Sequence, residues 1–265
     1  MSQGIVTYDA GGKNMGLEAL ADPARAWSVM EDFNGALFFN KIDGGSTDTA
    51  ILGYPGVLCS TDGTAANQTA LAAGAEAGGT VTFTPGDGAT EGITIPTALI
   101  VPNNGKRWFM EVRLKINVIA SGLKIGLSES VSPTAVLSGA GASVDGGAGV
   151  DQIMVGFDTS TTTDGNLEYY MSRNGTTGVH SGVGGMHADA QMAVDTYHRI
   201  GIEGDGVSAA RFYFDGNLMR ATGADANGFV DAGAYVPNVA CAPMIAADDD
   251  ESTVEVDYIY VACER

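Results

Sequence analysis

The stretch Tyr197–Arg220, YHRIGIEGDGVSAARFYFDGNLMR, decides the fold class. Tyr197, Arg199, Gly201 and Glu203 alternate with His198, Ile200 and Ile202 until Gly204-Asp205-Gly206 breaks the run. Arg211, Tyr213 and Asp215 then alternate with Phe212 and Phe214, and Asp215-Gly216-Asn217 turns the chain again. Strand side chains point to opposite faces in turn, and Asp-Gly accepts the left-handed backbone of a tight hairpin. A period of two ended by Asp-Gly therefore marks antiparallel strands with one buried face. Val254–Val261 (VEVDYIYV) is another alternating run near the end of the chain. Together these runs predict an all-β, antiparallel sandwich, and they carry no catalytic motif.

Outward from this hairpin the pattern continues. Arg107–Ile116 is the strongest strand of the first half, with Trp108, Met110, Val112, Leu114 and Ile116 on one inward face. Thr80–Thr84, Lys124–Glu129, Gln152–Asp158 and Asn166–Ser172 follow at sandwich spacing. Ile93–Leu99 is also a strand, which Pro96 confines to an edge or a bulge. Ser138–Gly149 and Asn174–Gly185 read as long loops, too poor in apolar residues to pack. Residues 1–26 form an N-terminal arm, with a short helix at Met15–Ala21 ended by Pro23. The rest, 27–265, is one domain, with Ala36-Leu37-Phe38-Phe39 as its first strand. An irregular excursion covers about 43–78 and holds an apolar island at Ile51–Leu58.

The chain of 265 residues has ample length for a large core, and its 13 Lys and Arg against 32 Asp and Glu give a net charge of −19. Such a chain is repelled by nucleic acid and by anionic membrane surfaces. MSQGIVTYDAGGK lacks the basic and apolar blocks of a signal peptide, and no apolar run is long enough for a membrane helix. Cys59, Cys241 and Cys263 are too few for a disulfide framework, so buried thiols in a reducing cytosol are expected, with a Cys241–Cys263 bridge left open.

The order RWFMEVRLKI, KIGLSES, DQIMVGF, NLEYYMSRNG, YHRIGIEGDG, RFYFDGNLM, VEVDYIYV resembles the concanavalin A-like lectin/glucanase jelly roll over roughly Gly79–Cys263. In that superfamily an E-x-R strand precedes an IGL strand, and an F-Y-x-D-G hairpin precedes a closing V-D-Y-I strand. The resemblance implies the fold alone, because this jelly roll hosts lectins, glucanases, adhesion modules and virion proteins. ARAWSVMEDFNGAL (24–37) followed by AGGTVTFTPGD (77–87) is similar to structural proteins of tailed bacteriophages, commonly head decoration proteins.

Glucanases of the superfamily carry E-x-D-x-x-E, whose alternate carboxylates share one face of a cleft as nucleophile and acid. The nearest segments here start at Glu203 and Glu255, and both lack the final glutamate. They read as solvated strand ends, so no catalytic residue is assigned. Asp248, Asp249, Asp250 and Glu251 are the weak candidates for a metal such as Ca2+, against the plainer reading of a solvated loop. His180, His187 and His198 lack metal-ligand spacing, and Ser128 and Ser181 lack a nucleophile elbow. Tyr169, Tyr170, Tyr213, Tyr235, Tyr258 and Tyr260 are candidates for a glycan platform, although core and sheet packing explains most of them.

The leading expectation is a non-enzymatic phage virion protein, made in the host cytoplasm and placed on the capsid surface. Its partners would be the major capsid protein and further copies of itself, a trimer among the arrangements. The arm would order across a neighbour through Ile5, Val6, Tyr8, Met15, Leu17 and Leu20. The alternative is a carbohydrate-binding module of a tail or fibre protein.

Overall fold

The computed structural model describes residues 24–33, 79–85, 90–119, 122–133, 136, 150–157, 165–173, 190–219, 224–226, 228–247 and 253–265. It also gives the backbone of 49–52, 57–62, 72–73, 176–180 and 248. In chain order the strands are β1 (Ala26–Glu31), β2 (Thr49–Leu52), β3 (Val57–Asp62), β4 (Ala72–Ala73), β5 (Val81–Phe83) and β6 (Thr90–Thr94). Next come β7 (Trp108–Ile116), β8 (Leu123–Ser128), β9 (Gln152–Phe157), β10 (Glu168–Arg173) and β11 (Thr176–His180). The chain continues with β12 (His198–Gly204), β13 (Ala209–Phe214), β14 (Asn217–Met219), β15 (Val230–Asp231), β16 (Ala242–Asp248) and β17 (Val254–Glu264). They form an antiparallel jelly-roll β-sandwich. One sheet runs β14-β13-β12-β7-β17-β5-β4, with β1 on β17 and β15 on β13; the other runs β11-β10-β9-β8-β16-β6-β3-β2.

The inward faces follow the alternation. Trp108, Met110, Val112, Leu114 and Ile116 of β7 meet Ile200 and Ile202 of β12 and Phe212 of β13 in one core with Ile125, Leu127, Ile153 and Val155 of the second sheet. Tyr169 of β10 stacks on Phe212 across the two layers, with ring centroids 4.7 Å apart. The turns match their residues. Asp215 and Gly216 have φ of 50° and 84°, as a two-residue hairpin requires. Asp205 Oδ1 accepts the N–H groups of Val207, Ser208 and Ala209 and so closes the β12–β13 turn.

Strand β17 departs from simple alternation. Its register against β7 shifts between Val256 and Tyr258, which makes Asp257 the extra residue of a bulge. Strict alternation would put Val256 and Tyr258 on the same face. The bulge reverses the parity, so Val254, Val256, Ile259 and Val261 all enter the core while Glu255, Tyr258 and Tyr260 face outward.

Several sequence expectations change. Asn174–Gly185 is not a continuous loop, because β11 pairs with β10 through a register shift at Met171/Ser172. The strand expected at Ile93–Leu99 is β6 instead. It lies between β16 and β3 and ends before Pro96, so the proline leaves the ladder intact. The stretch about 43–78 contributes β2 and β3 to the second sheet and β4 to the first. The first described strand is β1, starting at Ala26, whereas Ala36–Phe39 lies outside the described residues. Strand β16, which the sequence reading passed over, fills the centre of the second sheet, with Pro243 opposite Leu127.

Gly204 marks the tightest backbone approach. A Cβ there would fall 2.1–2.5 Å from the buried indole of Trp108. Gly204→Ala is expected to cost about 3 kcal/mol through overpacking, read as a lower urea midpoint at unchanged slope.

Candidate functional site

The outer face of the first sheet concentrates the chain's polar chemistry. Between its inward residues β7 presents Phe109, Glu111, Arg113 and Lys115, and neighbouring strands set their partners in rows. Glu203 of β12 stands opposite both Phe109 and Arg211, and Tyr260 of β17 opposite Glu111. Arg113 stands opposite both Arg199 and Tyr258, and Lys115 opposite Glu255.

Glu203 is 1% exposed, and its two oxygens receive four donors. Arg107 Nη2 donates to Oε1 at 2.8 Å; Arg211 Nε and Nη2 reach Oε2 at 2.8 and 2.7 Å; the Tyr213 hydroxyl donates to Oε2 at 2.8 Å. The Arg211 guanidinium in turn lies over the Phe229 ring at 4.6 Å. Two charges taken out of water demand this saturation, since a buried carboxylate without it would be strongly disfavoured.

The next rows repeat the arrangement nearer solvent. Glu255 accepts hydrogen bonds from the hydroxyls of Tyr197 and Thr80, both at 2.8 Å, and pairs with Lys115 Nζ at 3.0 Å. Burial opposes ionisation of Glu255, yet these partners outweigh it and hold its pKa below the usual range. The bulge residue Asp257 pairs with Arg113, whose guanidinium lies 4.2 Å from the Tyr197 ring centroid. Glu111 accepts the Tyr258 hydroxyl, and here burial prevails and raises its pKa. At the hairpin, His198 Nδ1 lies 2.7 Å from Asp215 Oδ2, while its Nε2 accepts the Ala193 N–H at 3.0 Å. Desolvation works against the Asp215 carboxylate, but His198 and the Arg199 N–H overcome it and lower its pKa.

Acid–base hydrolysis needs one carboxylate free to attack or accept a proton and another poised to give one. Glu111 is the one carboxyl of this face, among the described residues, that burial drives toward its neutral form. The carboxylates around it, Glu203, Glu255 and Asp257, already hold cations or hydroxyls. This corrects the sequence reading: the segments at Glu203 and Glu255 are not solvated strand ends but buried counter-ions. Sequence inspection also overlooked Arg107, Arg113, Lys115, Arg199, Arg211 and Tyr197. Their signal is the opposite charge recurring at alternate positions of β7, β12, β13 and β17.

The second sheet has a different outer face. Val136 packs there with Met154, Tyr170, Met244 and Ala246, so part of the chain's own length covers it. Lys124, 3% exposed, donates through Nζ to the Val136 carbonyl at 3.0 Å and lies 4.7 Å from the Tyr170 ring centroid.

Of the tyrosines considered for glycan stacking, Tyr169, Tyr170, Tyr213 and Tyr260 are buried, and Tyr235 and Tyr258 are half-buried. Asp248 ends β16, and Asp249, Asp250 and Glu251 lie outside the described residues, as do His187, Ser181 and the arm positions Ile5, Val6, Tyr8, Met15, Leu17 and Leu20. Among the described residues no three His, Cys, Asp or Glu side chains could hold a metal ion. Ser128 Oγ accepts the Ser130 N–H, a turn contact. Cys241 and Cys263 are free and buried; Cys263 lies on β17 of the first sheet, whereas Cys241 bridges to Ile100. Burial pushes the Cys263 thiol up to about 11 and Cys241 higher still.

No family model matches the chain, and no curated protein matches it in sequence. Similar solved structures include the carbohydrate recognition domain of Emp47p, 9% identical over 91% of this chain and 97% of that one, with a TM-score of 0.48. Arcelin-5, a lectin-like defence protein from Phaseolus vulgaris, is 10% identical over 90% and 98% of the two chains, with a TM-score of 0.46. An endo-1,3-beta-glucanase from Streptomyces sioyaensis is 15% identical over 91% and 98%, also with a TM-score of 0.46. The likeness stays at the level of fold.

Two measurements probe this face. Glu203→Gln leaves Arg211 buried without its counter-charge and is expected to cost about 3–5 kcal/mol, whereas Arg107→Ala, at the wetter end, costs at most about 1 kcal/mol; urea unfolding at neutral pH reads both. The second concerns pH. Because folding raises the Glu111 pKa, its contribution is complete below the ordinary 4.5 and is lost as pH rises through the folded value. Glu111→Gln, which keeps an acceptor for Tyr258, should therefore gain stability over the wild type as pH is raised from about 4 to 7, seen in parallel thermal melts.

Proposed function

We propose that the chain is a non-enzymatic structural protein of a tailed-bacteriophage virion, a decoration or cement subunit bound to the outer surface of the major capsid protein. The observation that carries this reading is the state of the first sheet's outer face. Among the described residues Glu203, Glu255 and Asp257 are each held by cations or hydroxyls, an arrangement suited to fixing a surface. Two sequence features support the virion context: the ARAWSVMEDF and AGGTVTFTPGD segments, and a net charge of −19, which keeps such a subunit outside a shell packed with DNA. Cementing requires broad contact with capsid protein and with further copies of the subunit, and a rigid sandwich supplies it without cleft chemistry. No cofactor is needed for this role.

The test is addition of the purified chain to heads that lack it, followed by electron cryomicroscopy and head thermal stability. Density on the outer capsid surface and a raised disruption temperature are expected, and deletion of residues 1–26 should weaken binding. Density on the tail, specific retention on a glycan array or turnover of a β-glucan would overturn the reading.

A further inference from the structure

The connection between β8 and β9 is far longer than the pairing it serves. These strands are antiparallel neighbours whose last rung joins Ser128 to Gln152, and about two to five residues suffice to turn such a pair. Here the ends of the connection, Glu129 and Asp151, lie 22 residues apart in sequence. They are tied together: the Glu129 N–H donates to the Asp151 carbonyl and the Asp151 N–H to Glu129 Oε1, both at 3.0 Å. The described residues of this segment lie on the outer face of the second sheet. Ser128 Oγ accepts the Ser130 N–H and turns the chain over that face. Pro133 lies against Gly92 of β6, where an added Cβ would come within 3.1 Å of the proline Cβ. Val136, fully buried, packs on Met154 of β9, Tyr170 of β10, and Met244 and Ala246 of β16. On the return, the Val150 carbonyl accepts the Ser172 hydroxyl at 2.8 Å. One segment thus touches β6, β9, β10 and β16.

Opposing terms meet beneath it. Lys124 of β8, 3% exposed, donates through Nζ to the Val136 carbonyl at 3.0 Å, with the Tyr170 ring centroid 4.7 Å away. A charge-assisted hydrogen bond of this kind is stronger than a neutral one, and it exists only while Val136 is in place. Gln152 Oε1 accepts the Tyr170 hydroxyl at 3.3 Å, but Gln152 Nε2 is buried without a hydrogen-bond partner. An unmet buried donor penalises the closed arrangement, and water would satisfy it if the segment left. Closure therefore gains the burial of Val136 and the Lys124 bond, and works against the desolvation of Lys124 and the Gln152 donor. We propose that the β8–β9 connection is a strap, latched by Lys124, that closes the outer face of the second sheet and opens as a unit while the sandwich stays folded. Opening uncovers an apolar groove of Met154, Tyr170 and Met244, with the donors Lys124 Nζ and Gln152 Nε2 next to Tyr170. The strap rests on the second sheet alone and is independent of the virion reading.

Thiol labelling of the full chain tests the proposal. Met244→Cys places a thiol under Val136, while the native Cys263, 4% exposed on β17 of the first sheet, reports opening of the sandwich itself. Labelling with a maleimide, followed by peptide mapping, is expected to find position 244 about a hundredfold slower than a free thiol yet faster than Cys263. Adding Lys124→Met, which keeps the apolar stem, should speed labelling at 244 about tenfold and leave Cys263 unchanged. Gln152→Met with Tyr170→Phe, which removes the unmet donor together with its hydroxyl partner, should slow it. Labelling at 244 as fast as a free thiol would show an open face, and equal rates at 244 and 263 would show no separate strap. No response to Lys124→Met would remove the latch. Each of these results overturns the proposal. Hydrogen exchange of the unsubstituted protein decides the matter without variants. The Ser130 and Asp151 amides, tethered to Ser128 and Glu129, should exchange together and ahead of the β8–β9 ladder, and exchange at the ladder's rate would refute the strap.

Discussion

Lateral charge neutralisation on a buried sheet face is the constraint on which the rest of this sandwich depends. Strand β7 lies in the middle of its sheet and is buried or half-buried along its whole length on both faces. Its inward residues meet the core, but Glu111, Arg113 and Lys115 face outward, the carboxyl buried and the two cations part-exposed. Their charges must be answered by neighbouring strands at the right register: Tyr258, Asp257 and Glu255, all from β17. A slip of one residue would turn these groups inward and Met110, Val112 and Leu114 outward, so the apolar face and the ionic face specify the same pairing. Buried ion pairs add little net stability against apolar side chains of equal size, and their value here is as a lock on register.

The Asp257 bulge shows how the two demands are reconciled. VEVDYIYV contains more large side chains than one face can take, and no single parity buries every valine and isoleucine. Inserting one residue lets the chain bury Val254 and Val256, change phase, and then bury Ile259 and Val261. The same change of phase brings the Tyr258 hydroxyl to Glu111 and leaves Asp257 to meet Arg113. A packing conflict in the sequence thus becomes the geometry of the polar face.

Much of this was legible in the residues, and what was not has identifiable causes. The strands around Trp108–Ile116, His198–Gly204 and Ala209–Phe214 announced themselves through alternation, and the Asp215-Gly216 turn through its need for positive φ. Strands β11 (TTGVH) and β16 (APMIAAD) did not. TTGVH holds one aliphatic residue and APMIAAD sets Met244 beside Ile245, so neither shows apolar–polar alternation, and they owe their place to ladders supplied by β10 on one side and by β8 and β6 on the other. The carboxylates at Glu203 and Glu255 were visible but read as solvated, because the residues that bury and neutralise them are distant in sequence. Arg107 lies 96 residues from Glu203, and Thr80 lies 175 from Glu255. Local pattern shows which residues share a face and is silent on whether anything covers that face.

The uneven distribution of cations gives this architecture a consequence beyond stability. With 32 acidic and 13 basic residues, carboxylates far outnumber the cations that could answer them, and two copies approaching at random repel each other. Setting Arg107, Arg113, Lys115, Arg199 and Arg211 among Glu203, Glu111, Asp257, Glu255 and Asp215 balances the charge of one face. On the opposite sheet Val136 packs over Met154, Tyr170, Met244 and Ala246, and its carbonyl holds Lys124. A sandwich arranged in this way keeps its few positive charges where their counter-ions already stand, so the same pairs that fix the register of β7, β12 and β17 also keep that face from adding to the repulsion.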